Sequence, residues 1–323
     1  MKRLGVLGTM IWDTIEGRTP GEGTIEEWGG IAYALAALDA ALPDGWTVQP
    51  IVKVGRDLAA PAAGFLRGLS RIETGARFVE VPAPNPRVRL RYLDDTRRCE
   101  GLEGGVPPWT WDELGPMVLG LDAVYANFIT GYECDLVTMQ ALRRAFPGPL
   151  YGDLHSLALG RHADGMRFYR PIEEALAWLT CFDVAQVNED EMGQLGSEPL
   201  ALAARALEGG TGAVCVTMGP RGAVYVASAA FAGLAAAGRD RPVRGGAGLV
   251  HTALVPIEGG PGRGDPTGCG DVFGATLMAR LLAGTPLEPA IAAANAAAQR
   301  NVGYRGATGL QHHLRGALQG AGA

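Results

Sequence analysis

Apolar and polar positions along this chain follow two alternating periods. Short apolar runs at 4–8, 123–128, 150–153, 184–187 and 213–217 read as buried strands, and a longer run covers 46–54. Between them, segments 30–42, 58–69, 135–145, 173–180, 189–195 and 200–207 have helical composition. Pro61 falls in the first turn of the second of these, where its missing N–H costs nothing. Strand and helix in regular succession predict an α/β fold, a doubly wound and mainly parallel sheet flanked by helices, in a single domain over 1–323.

Two stretches depart from that rhythm. Residues 87–99 (RVRLRYLDDTRRC) alternate apolar and charged positions around Asp94-Asp95, the pattern of a half-exposed hairpin. A lone hairpin is marginal in water, so it needs strand partners. Those partners are assigned to the segment near 10–28, giving a small β-sheet lid formed by about 10–28 and 86–103, with an exposed edge on which a homodimer can pair. Residues 229–248, rich in Gly, Ala and Arg, read as a mobile surface insertion that interrupts the strands.

Composition narrows the function classes. The formal net charge is −6 and no long basic run occurs, which argues against nucleic acid as a partner. The 47% hydrophobic residues suffice for a large core, and no apolar stretch is long enough to span a bilayer. Met1–Thr9 reads as a first strand and not as a signal peptide, so a cytoplasmic protein is expected. Cys99, Cys134, Cys181, Cys215 and Cys269 are scattered, without the spacing of a disulfide framework or a zinc site.

The chemistry concentrates in Gly264-Asp-Pro-Thr-Gly-Cys-Gly-Asp-Val-Phe-Gly-Ala275, a glycine-rich turn opening an apolar helix that runs to about 282. The first N–H groups of a helix lack intrahelical partners and favour negative charge. Small residues at 268–270 let the backbone close on an anion, with the Asp271 carboxylate beside it. Phosphoryl transfer to an alcohol uses both: donors for the moving charge and an acceptor for the hydroxyl proton. Taken alone, the same turn is an ordinary strand-to-helix junction with Asp271 capping the helix. No Gly-Lys-Ser/Thr follows the glycines, so it is not a P-loop, and its spacing is not that of a dinucleotide fingerprint.

Asp265-Pro-Thr-Gly-Cys-Gly-Asp271 resembles the second signature of the ribokinase-like (PfkB) kinases, Asp-Thr-x-Gly-Ala-Gly-Asp. That resemblance implies Asp271 as catalytic base and an anion hole from the N–H groups of Gly268, Cys269 and Gly270. Asp265 and Thr267 match positions that bind a monovalent cation in potassium-activated members. Further matches follow in the family's order. Asp13, after the first strand, resembles the aspartate that contacts substrate hydroxyls, and Gly29-Gly30 the glycine pair lining the sugar. Val54-Gly-Arg-Asp57 resembles Val-Gly-x-Asp, a turn and helix cap with a lesser substrate role. Asn188-Glu-Asp-Glu191 resembles the Asn-x-x-Glu motif that organises Mg²⁺ through waters, as hard oxygen ligands suit that ion. Thr217-Met-Gly219-Pro-Arg-Gly222 resembles the turn near the nucleotide, and Asn295 lies on the helix expected beside the adenine. The resemblance implies ATP as donor and a small-molecule alcohol as acceptor.

Some positions differ from the family's pattern. Ala34 stands where the family has a sugar-binding asparagine, which points away from ribose and toward a polyol or cyclitol, with Tyr33 and Trp12 as an apolar wall. Asp153 and His155 lie where the family has Asp-x-Asn at a strand end, and are candidate substrate contacts. Arg87, Arg89 and Arg91 share one face of the lid strand. They read as a solvated face, with a phosphosugar acceptor as the alternative. The other alternative is a catalytically silent sugar- or nucleotide-binding regulator, against which the retained Asp271 argues. His312 and His313 are expected in solvent.

Overall fold

The computed structural model describes residues 1–16, 23–73, 75, 77–92, 98–235, 248–260, 262 and 264–316. The Asp94-Asp95 turn, 17–22 of the expected lid and 236–247 of the expected insertion lie outside the described residues. The chain begins with β1 (Lys2–Leu7), β2 (Met10–Ile15), β3 (Ile25–Gly30), α1 (Ile31–Ala41) and β4 (Trp46–Ile51). Next come β5 (Lys53–Gly55), α2 (Ala59–Arg67), β6 (Val79–Val81), β7 (Arg87–Tyr92), β8 (Arg98–Glu103) and α3 (Trp111–Val118). The middle contains β9 (Ala123–Asn127), α4 (Leu136–Ala145), β10 (Leu150–Asp153), β11 (Leu159–Arg161), β12 (Arg167–Tyr169) and α5 (Ala175–Leu179). It continues through β13 (Val184–Asn188), α6 (Glu189–Met192), α7 (Pro199–Glu208) and β14 (Ala213–Thr217). The chain then runs through β15 (Ala223–Ser228), β16 (Val250–Val255), α8 (Cys269–Leu282), α9 (Leu287–Asn301) and α10 (Leu310–Leu314).

The central sheet has eight strands in the order β16-β15-β14-β13-β10-β9-β1-β4. From β14 to β4 every pairing is parallel, while β15 runs antiparallel to both neighbours. Alternate residues of one strand serve opposite faces. Ala123 and Tyr125 belong to the core shared with α1, α8, α9 and α10; Val124 and Ala126 belong to the core shared with α3, α4, α5 and α7. Both faces are therefore covered, as the near-continuous apolar strands require. Strand order reverses between β1 and β9, so the carboxyl ends of the strands flank a crevice at a topological switch point.

A second sheet, β3-β2-β7-β8, has four strands. Val88 and Leu90 of β7 are buried, while Arg87, Arg89 and Arg91 are exposed. The alternation seen in the sequence thus separates an inner apolar face from an outer charged one.

Two expectations need correction, and a third is placed. The apolar run 46–54 is two strands: β4 pairs β1 in the central sheet, and β5 pairs β6 in a small separate one. Ile51, Val52 and Val54 are all fully buried, so hydrophobicity gives no sign of the break. The stretch expected as an insertion lies between two paired strands, Ser228 of β15 being in register with Val250 of β16, and its residues 236–247 lie outside the described residues. Of the two terminal histidines, His312 is exposed, but His313 stacks on Tyr304 at 5.1 Å between ring centroids.

Asp183, at the foot of β13, ties a helix to the sheet. Its carboxylate accepts from both Arg143 terminal nitrogens of α4 at 2.9 Å and from Leu150 N at 2.7 Å. Asp183 is 1% exposed. Removing it strands a partly buried guanidinium, so Asp183→Ala is expected to lose about 3 kcal/mol of stability by denaturant titration.

Candidate active site

A crevice of about 600 Å³ opens along the carboxyl ends of β10, β13 and β14, roofed by β2, β7 and β8. Its floor is the turn that leads into α8. Gly268 caps that helix with φ 76, a left-handed conformation that disfavours side chains. A Cβ there would also lie 2.4 Å from the ring of Tyr33 in α1. Ahead of it, Asp265 Oδ1 accepts from Thr267 N at 2.9 Å and from Thr267 Oγ1 at 2.7 Å, an interaction that shapes the turn. Residues 268–271 all line the crevice, which places Asp271 in the first turn of α8 beside the helix N-terminus.

Two neutral amides fix the carboxylates. Asn127, ending β9, donates from Nδ2 to Asp271 Oδ1 at 2.7 Å. Gln186 of β13 donates from Nε2 to Asp153 Oδ2 at 3.0 Å and to the Gly270 carbonyl at 3.0 Å, and it accepts from Tyr151 OH at 2.6 Å. Neither amide stood out in the sequence. The signal available was a polar side chain at or near the carboxyl end of an apolar strand. His155 Nδ1 lies 3.5 Å from Asp153 Oδ1, and ligand-type atoms of Asp153, His155 and Asp271 all fall within 4.8 Å of one another. Burial disfavours the imidazolium, but the hydrogen bond and charge of Asp153, with Glu191 and Asp271, outweigh it and push His155 up to about 10.

The expected residues distribute unevenly. Asp13, Gly30, Asp153, His155, Asn188, Glu191, Thr217, Gly219, Gly222, Thr267 and Asn295 line the crevice with the α8 turn. Gly29 acts from behind: a Cβ on it would lie 1.7 Å from Asp13 Oδ2, so the carboxylate rests against bare backbone. Asp57 is elsewhere. Its carboxylate accepts from Asn85 N at 2.9 Å and pairs with Arg87 at 2.9 Å, and it does not line the crevice. Trp12 packs edge-on against Trp28 at 5.1 Å and does not line the crevice, whereas Tyr33 does, together with Tyr169 and Phe273. Asn295 Nδ2 donates to Val255 O at 2.9 Å.

Asn188 and Glu191 form a capping box at the start of α6: Asn188 N donates to Glu191 Oε2 at 2.7 Å, and Glu191 N donates to Asn188 Oδ1 at 2.9 Å. Burial pushes Glu191 up to about 8, partly offset by the charge of His155. With these oxygens already accepting hydrogen bonds, the pair suits a hydrated Mg²⁺ held through water better than direct ligation.

A mainly parallel, two-faced sheet with a carboxyl-end crevice under a small second sheet is the architecture of the ribokinase-like kinases. Residues 164–313, just under half of the chain, match the model of the pfkB family carbohydrate kinases. The fold agrees with solved structures at low sequence identity. One is a pyrophosphate-dependent kinase in the ribokinase family, as its sulfate complex (TM-score 0.73, 18% identity, 96% of this chain and 99% of that one). Another is such a kinase complexed with a pyrophosphate analog and myo-inositol (TM-score 0.71, 16% identity, 96% and 98%). A third is ribokinase from Thermotoga maritima (TM-score 0.68, 16% identity, 98% of each chain). No curated protein sequence matches the chain significantly. No helix among the described residues is long and apolar enough to cross a membrane.

The His155–Asp153 pair has a pH signature. A histidine raised by a partner contributes stability that is complete below its unfolded value of about 6.5. That contribution is lost as pH rises through about 10. The gap in melting temperature between the wild type and His155→Gln is therefore expected to narrow steadily from pH 6 to pH 10.

Proposed function

We propose that this protein is an ATP-dependent kinase that transfers the γ-phosphate to a hydroxyl of a sugar, polyol or cyclitol, or nucleoside. The observation that carries the reading is the position of Asp271: a carboxylate in the first turn of α8, steadied by Asn127 and flanked by the Gly268–Gly270 backbone. In this reading Asp271 takes the acceptor's proton as the oxygen attacks, and the N–H groups of Gly268, Cys269 and Gly270 receive the charge of the transferred group. Thr217, Gly219, Gly222 and Asn295 form the nucleotide end of the crevice; Asp13, Gly30, Asp153 and His155 form the acceptor end, with Gly29 behind Asp13. Asn188 and Glu191 would hold Mg²⁺ through water, and the ion would supply charge neutralisation at the phosphates. Asp265 and Thr267 take a monovalent cation in the same scheme. The four-stranded sheet serves as the lid that excludes water from the transfer.

A solved neighbour with myo-inositol bound supports a cyclitol among the acceptors to be tried, and its pyrophosphate dependence makes pyrophosphate the natural second donor. The deciding experiment is a coupled assay of ADP or phosphate release, with ATP and with pyrophosphate, across a panel of alcohols. A protein that binds ATP yet transfers to no acceptor would be the catalytically silent regulator instead.

Two variants probe the roles. Asp271→Asn is expected to lower kcat by on the order of a hundredfold or more while ATP binding by calorimetry persists. An unchanged kcat would reduce Asp271 to a helix cap. Glu191→Gln is expected to raise the Mg²⁺ concentration for half-maximal rate. An unaltered Mg²⁺ titration would leave Asn188 and Glu191 as a capping box alone.

A further inference from the structure

The arginines that the sequence offered for an anionic acceptor, Arg87, Arg89 and Arg91, are exposed on the outer face of the roof. A different guanidinium lines the crevice. Arg167, at the start of β12, donates from Nη2 to the Thr130 carbonyl at 2.8 Å, while its Nε is buried without a hydrogen-bond partner among the described residues. It lies at the acceptor end. Its neighbour Met166 bridges Gly101 of the roof strand β8, and Thr130 follows β9.

Among the described residues no carboxylate pairs directly with that charge. Burial works against the Arg167 cation, and the carboxylates of Glu100 and Glu133 act at a distance in its favour. The Glu133 oxygens are engaged by Thr9 Oγ1 at 2.8 Å, Thr130 N at 2.7 Å, Thr130 Oγ1 at 2.9 Å and Gly131 N at 3.0 Å. Arg167 forms no ion pair with a described residue. Arg221, the other arginine lining the crevice, is paired with Glu189 at the opposite end. A buried guanidinium N–H left without an acceptor is costly, and an oxyanion on a ligand removes that cost.

We propose that the phosphate acceptor is a polyhydroxy acid whose carboxylate docks on Arg167. The proposal rests on the kinase reading and names its substrate class. The charge pattern of the crevice sets the orientation. Asp13, Asp153 and Asp271 repel a carboxylate along the rest of the acceptor end, where the His155 ring is already taken up by Asp153 at 3.5 Å, so the anionic group goes to Arg167 and a hydroxyl is left for Asp271. One guanidinium with Glu100 and Glu133 nearby matches a single negative charge better than a dianionic phosphate ester.

The test is a coupled assay on the wild type, Arg167→Lys and Arg167→Gln. Its acceptors are sugar acids (gluconate, ribonate, glucuronate), neutral alcohols (myo-inositol, ribose) and a sugar phosphate (fructose 6-phosphate). A sugar acid is expected to be the best acceptor. Arg167→Gln is expected to raise its KM about tenfold or more, with a smaller change in kcat, and Arg167→Lys to recover part of the loss. Melting temperatures of both variants separate a binding defect from a folding defect. Faster turnover of a neutral alcohol or a sugar phosphate, or a KM untouched in Arg167→Gln, overturns the proposal. If no acceptor draws phosphate, the kinase reading fails by itself. Calorimetry then decides the carboxylate site: binding of a sugar acid that Arg167→Gln weakens upholds it, and no binding sinks it.

Discussion

The site depends on one steric constraint: the 264–271 turn must thread between the end of α9 and the ring of Tyr33. Asp265 N donates to the Val302 carbonyl at 2.9 Å, and a Cβ on Gly264, whose φ is 148, would lie 1.9 Å from that same oxygen. On the other side Gly268 sits against Tyr33. Asn301, fully buried, donates to the Thr267 carbonyl at 2.8 Å and closes the turn from α9. With the backbone held on both sides, α8 starts at one place and at one rotation. That rotation is what carries Asp271 to Asn127 and the Gly270 carbonyl to Gln186.

The crevice gathers acidic groups that would repel one another if left alone. Desolvation makes each charge more expensive and each mutual repulsion larger. The fold answers mainly with neutral donors: the Asn127 amide for Asp271 and the Gln186 amide for Asp153, with His155 as the cation alongside. Amides orient a carboxylate without cancelling its charge. A site built this way keeps a strong negative potential, so an anion can enter only where backbone N–H groups outweigh it. The helix N-terminus of α8 is such a place. The physical logic of the site is thus separation, with the backbone N–H groups of a helix start at one end of the turn and amide-held carboxylates beside them.

The six parallel strands were legible because they are short apolar runs bounded by turns, and parallel strands buried on both faces read that way, whereas the antiparallel β15 and β16 were not among the strands read. The turn at 264–275 was legible because few structures need three small residues followed by a carboxylate at a helix start. The amides were not, since a single Asn or Gln at a strand end carries no pattern until its partner is known. Arg167 was hidden for another reason. The hairpin of β11 and β12 is short and its residues follow neither period. The break between β4 and β5 left no hydrophobic trace, though Pro50 agrees with the outcome. Proline cannot donate to a ladder, and β4 is the edge strand where that loss is tolerated.

The roof sheet is bound to the body along both of its edges. At β8, Leu102 N donates to the Gly165 carbonyl at 2.9 Å. At β3, the Trp28 carbonyl accepts from Ala307 N at 3.2 Å, and Glu27 Oε1 accepts from Thr308 Oγ1 at 2.7 Å. An edge already engaged by its own chain is a poorer template for a second copy. Among the described residues the outer face of β7 is open to solvent, where Arg87 pairs with Asp57 and the like charges of Arg89 and Arg91 repel a matching face from a twin. Edge contacts of this kind also limit a swinging motion. The strands between the held edges, β2 and β7, bring Asp13, Val88 and Leu90 to the crevice.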